Sequence, residues 1–98
     1  MNNILFKRIR NNKGNPKGVL IAMPINDTEV GIGWSLSSSK DNFDLSMGKR
    51  IAEGRTSAFE PEKMPHSIRV DFNKFAQRCE RYFKGHTVIG AKVFENIS

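Results

Sequence analysis

Lys74, Arg78 and Arg81 stand at i, i+4 and i+7, with Lys84 just beyond them. On a helix that spacing lines three cations along one side, where they can meet successive phosphates. A solvated helix face carries the same stripe, and Asp71 is close enough in sequence to pair part of its charge. A second basic group, Lys7, Arg8, Arg10, Lys13 and Lys17, crowds the first twenty residues. In an extended segment Phe6, Arg8 and Arg10 share one face, and Leu5, Lys7 and Ile9 share the other. An aromatic ring beside two guanidinium groups can stack a base and hold its phosphate. An edge strand protected from aggregation by charge has the same look. The loop from Asn11 to Gly18, with Lys13 and Lys17, could clamp phosphates, but it has no phosphate-loop pattern.

Other chemistry is poorly supported. Gly48-Lys49-Arg50 and Gly54-Arg55 look like fragments of phosphate motifs, yet the required Gly-Lys-Ser/Thr after a spaced glycine is missing. His66 and His86 are conceivable bases, but neither has a nucleophile and an orienting group at a recognisable spacing. Asp41 and Asp44 lie beside Lys40 in a helix-capping context. Cys79 falls among apolar residues, as an inert core thiol does, with no helix N-terminus near it to lower its pKa. No catalytic residue, metal site or cofactor is expected.

The whole chain of 98 residues fits one domain, 1–98, large enough for one modest core. One cysteine forms no internal disulfide, and one cysteine with two histidines makes no Cys-rich zinc site. No apolar run nears the roughly 20 residues of a membrane span. The N-terminal residues lack the order of a secretory leader, so a reducing cytoplasm is expected. The formal charge of +6 is uneven. Residues 1–20 hold five basic side chains and no acid, and residues 67–84 hold five basic and two acidic ones. The stretch between them is slightly acidic. Such a balance points to an acidic partner, most commonly nucleic acid.

These residues need elements to position them. Strands are expected near 4–10, 18–23, 30–37 and 87–94, and helices near 44–55 and 67–84. In Val30–Ser37, Val30, Ile32, Trp34 and Leu36 alternate with Gly31, Gly33, Ser35 and Ser37. Trp34 is expected in the core. The bare glycine face predicts close approach, by a packed helix ahead of a small phosphorylated ligand. Asp44 is the expected cap of the first helix, on which Lys49, Arg50 and Glu53 should face away from the Gly48–Ala52 patch. Ser67 is the expected cap of the second helix and Gly85 its stop. Phe72, Phe75, Cys79 and Phe83 should lie on the sheet. The result is an α+β fold: a small, mainly antiparallel sheet of about four strands packed against two helices, in the order β-β-β-α-α-β.

Lys17–Ala22, Val30–Leu36 with its Gly-Trp-Ser, Asp41-Asn42-Phe43-Asp44, and Gly48 with Ile51-Ala52-Glu53-Gly54-Arg55 resemble a group of small bacteriophage accessory proteins. The resemblance spans roughly residues 17–55. It implies a viral protein acting in the bacterial cytoplasm, and it carries no assigned site residue. The leading expectation is nucleic-acid binding, DNA or RNA, through phosphate contacts at Lys7, Arg8, Arg10, Lys13, Lys17, Lys74, Arg78 and Arg81. The rival is a module that inhibits or modulates a host bacterial protein. No membrane partner is expected, and an exposed edge strand could pair two copies into a homodimer.

Overall fold

In a computed structural model, residues 4–37, 44–58, 60–91 and 93 are described. The first three strands form a meander, β1 (Leu5–Arg10), β2 (Pro16–Pro24) and β3 (Glu29–Leu36). Helices α1 (Leu45–Arg55) and α2 (Arg69–Tyr82) follow, and β4 (Thr87–Val88) closes the sheet. The sheet order is β1-β2-β3-β4, with β1–β2 and β2–β3 antiparallel and β4 parallel to β3. The expected α+β class and element order are both found.

Two Asx turns shape the hairpins. The Asn11 side chain accepts the backbone N–H of Lys13 at 2.9 Å and of Asn15 at 3.0 Å. Gly14 completes that turn at φ +83°, a left-handed conformation that favours glycine. Asn26 does the same work between β2 and β3, accepting from Thr28 at 2.9 Å and Glu29 at 2.8 Å. Ile9 pairs with Gly18 but Arg10 pairs with Pro16, so Lys17 is the extra residue of a bulge.

The helices lie on opposite faces of the sheet. One face presents Leu5, Ile9, Leu20, Ala22, Val30 and Ile32 to the buried side of α2, Phe72, Phe75, Ala76 and Cys79, with Phe83 just past its end. Trp34 packs against this core half-buried, less deeply than expected. The other face presents Val19 and Ile21 to Leu45 and Ala52 of α1. The bare glycine face is explained by α1. A Cβ on Gly33 would strike the Ala52 carbonyl, and a Cβ on Gly31 would strike the Thr56 carbonyl. The helix backbone fills the space where a small ligand was the alternative.

Two boundaries and one side-chain direction differ from expectation. Helix α2 begins at Arg69, after a 3-10 turn at His66–Ile68, and Ser67 is an exposed residue of that turn and not its cap. Strand β4 stops at Val88, because Gly90 at φ +84° turns the chain off the sheet. On α1, Lys49 is half-buried against the sheet and does not face away. Asp44 caps α1 as expected, its carboxylate accepting the Met47 N–H at 3.2 Å. Gly85, at φ +88°, ends the turn after α2.

Candidate nucleic-acid interface

Register decides where each cation points. Phe6, Arg8 and Arg10 alternate with the buried Leu5 and Ile9, so they stand on the α1 side of the sheet. Phe6 and Arg8 sit opposite Ile21 and Val19 of that face. Among the described elements, helix α1 packs on β2 and β3 and not on β1, and Phe6 is 38% exposed. Lys7 points to the α2 side and is exposed at the sheet edge. Lys13 is exposed in the hairpin turn, and Lys17 is half-buried at the bulge.

The stripe Lys74, Arg78 and Arg81 is exposed along α2 on the side away from its buried Phe72, Phe75 and Cys79. It therefore points outward on the α2 side, with the sheet between it and Arg8 and Arg10. The eight expected phosphate contacts do not form one face. Among the described residues, none of the three stripe cations lies within 4.0 Å of a carboxylate, so Asp71 does not neutralise them.

The α1 side gains a cation instead. Lys49 extends from α1 over β1 and places Nζ 4.0 Å from the centre of the Phe6 ring. A cation over an aromatic face is attracted by the ring quadrupole, worth about 0.5–1 kcal/mol where solvent has access. Phe6, Arg8 and Lys49 thus form one group, two residues from a strand and one from a helix. Lys49 and Arg8 have no carboxylate within ion-pair distance among the described residues. Arg10 borders the group with one nitrogen committed, Nη1 donating to the Gly14 carbonyl at 2.9 Å. The spacing of Leu45, Gly48, Lys49 and Ala52 along one helical stripe is the signal that places Lys49 toward the sheet.

The other stacked cation has a structural task. Arg55 lies 4.1 Å from the Trp34 ring centre and donates from Nη1 to the Trp34 carbonyl at 2.9 Å. That carbonyl is on the part of β3 that β4, paired only at Glu29 and Val30, does not reach. Arg55 thereby pins the end of α1 to the sheet edge.

Among the described residues no three His, Cys, Asp or Glu side chains gather as a metal site would need. No described helix is long and apolar enough to cross a membrane. No protein-family model, curated protein or solved structure matches this chain.

Proposed function

We propose that this chain is a nucleic-acid-binding accessory protein of the bacteriophage type, working in the bacterial cytoplasm by binding and not by catalysis. The observation that carries the reading is the exposed Phe6 ring bordered by Arg8 and capped by Lys49, with no carboxylate among the described residues paired to either cation. Phosphates would meet Arg8, Lys49 and the free nitrogens of Arg10, with Lys7, Lys13 and Lys17 around them. The α2 stripe adds long-range attraction from the far side of the sheet.

Binding of this kind releases counterions and weakens with salt. Three phosphate contacts on a single strand give a slope of log affinity against log salt of about −2. Fluorescence anisotropy with a labelled oligonucleotide across a salt series measures it. Arg8→Gln should weaken binding and make the slope shallower by about 0.7. Affinity independent of salt, or no binding at low salt, overturns the reading.

One observation favours a protein partner. Met47 is 57% and Ile51 43% exposed, one turn apart on the outer side of α1. Such a pair suits an apolar contact on a host protein. A pull-down from nuclease-treated bacterial lysate discriminates: this second reading predicts one stoichiometric protein held by the wild type and lost by a Met47→Lys, Ile51→Lys variant.

A further inference from the structure

We infer that the β1–α1 face is built for single strands, with one unpaired base stacked on Phe6 in the place the Lys49 ammonium now takes. The inference rests on the proposed nucleic-acid binding and names the ligand class of that same face. Phe6 stands on the outermost strand of the sheet, 38% exposed, with the Lys49 ammonium over its ring. A duplex keeps the faces of its bases stacked inside, so it offers an exposed aromatic ring no base to stack on. A single strand offers a base whose π face matches the ring in size.

The groups around Phe6 suit that exchange. The Lys49 ammonium holds the ring by a cation–π contact and, among the described residues, has no carboxylate to keep it there. A base brings a larger contact area and displaces it. The freed ammonium, on a four-carbon stem rooted in α1, then stands beside the phosphate of the stacked nucleotide. Arg8, two residues along the same strand face, is placed for the next phosphate: a strand advances about 6.6 Å over two residues, close to one nucleotide step of an extended single strand. Ring, ammonium and guanidinium therefore serve one nucleotide and its neighbour. Stacking on a ring and phosphate contacts are indifferent to base identity, so recognition is tolerant of sequence.

Two probes and two variants test this with the full-length chain. The probes are a fluorescein-labelled single strand of roughly 12 nucleotides and a hairpin duplex with the same label. The wild type should bind the single strand more tightly. Phe6→Leu keeps an apolar side chain on a half-exposed site, so the fold is retained, and a thermal melt verifies it. That variant should lose about tenfold on the single strand, the scale of one base–aromatic stack, with duplex affinity unchanged. Phe6→Trp should restore or exceed wild-type affinity for the single strand alone. Equal affinity of wild type for both probes, with Phe6→Leu unaltered, overturns this inference and leaves nucleic-acid binding standing. Failure of the wild type to bind either probe overturns both.

Discussion

Cys79 is fully buried among Phe72, Phe75 and Ala76, and burial pushes its thiol from an ordinary 9.0 up to about 12. The thiolate is the reactive form, so the folded chain should resist a thiol reagent at pH 8 and react promptly once denatured. Fast labelling of the native protein would place the thiol outside the core. The same shift links stability to pH. As pH rises above 9 the unfolded chain gives up this proton while the folded chain keeps it. The thiol's contribution is full below pH 9 and is lost progressively toward pH 12. A Cys79→Ala chain should lack that component of the alkaline decline in Tm. The inert core thiol was readable from the helical spacing of its neighbours. The position of Lys49 is less legible. Its charge argues for solvent, and the buried Gly48 and Ala52 beside it let the helix settle low enough for its ammonium to reach the Phe6 ring.

At the scale of elements, α1 and β3 fit because both have shed side chains. Gly31 and Gly33 on the strand meet the carbonyls of Thr56 and Ala52 at the end of the helix. Gly33→Ala should push α1 off the sheet and cost about 2–3 kcal/mol or more in urea unfolding, since the obstacle is backbone and cannot rotate away. Gly54→Ala is the contrasting change. Nothing lies within 4 Å of its missing Cβ, so alanine should stabilise α1 by about 0.5–1 kcal/mol. Equal effects from the two would contradict the packing described. The period-two pattern of Val30–Leu36 made this close approach legible from the sequence. Opposite placement of the two helices was not, because each apolar stripe is compatible with either face. Apolar residues continue beyond Val88 and suggest a longer β4, while the chain direction is decided by Gly90.

For the molecule as a whole, the sheet sorts the +6 charge onto two sides. Residues 1–20 showed as a basic locus in the sequence, but only register reveals that Arg8 and Arg10 stand on one side and the α2 stripe on the other. The outer edge of β1 carries Lys7, Arg8 and Arg10, so pairing two copies along it would set like charges across from one another. The chain is therefore expected to run as a monomer of 11.1 kDa by light scattering, and a mass of about twice that would contradict this. The most direct test of the proposed face sets two charge-reversed variants against each other on one labelled single strand at fixed salt. One is Arg8→Glu with Lys49→Glu, and the other is Lys74→Glu with Arg78→Glu and Arg81→Glu. The first should weaken binding by tenfold or more, and the second by less, although it reverses more charge. A greater loss from the α2 variant would place the interface on the wrong side of the sheet, and undiminished binding by both would exclude either one.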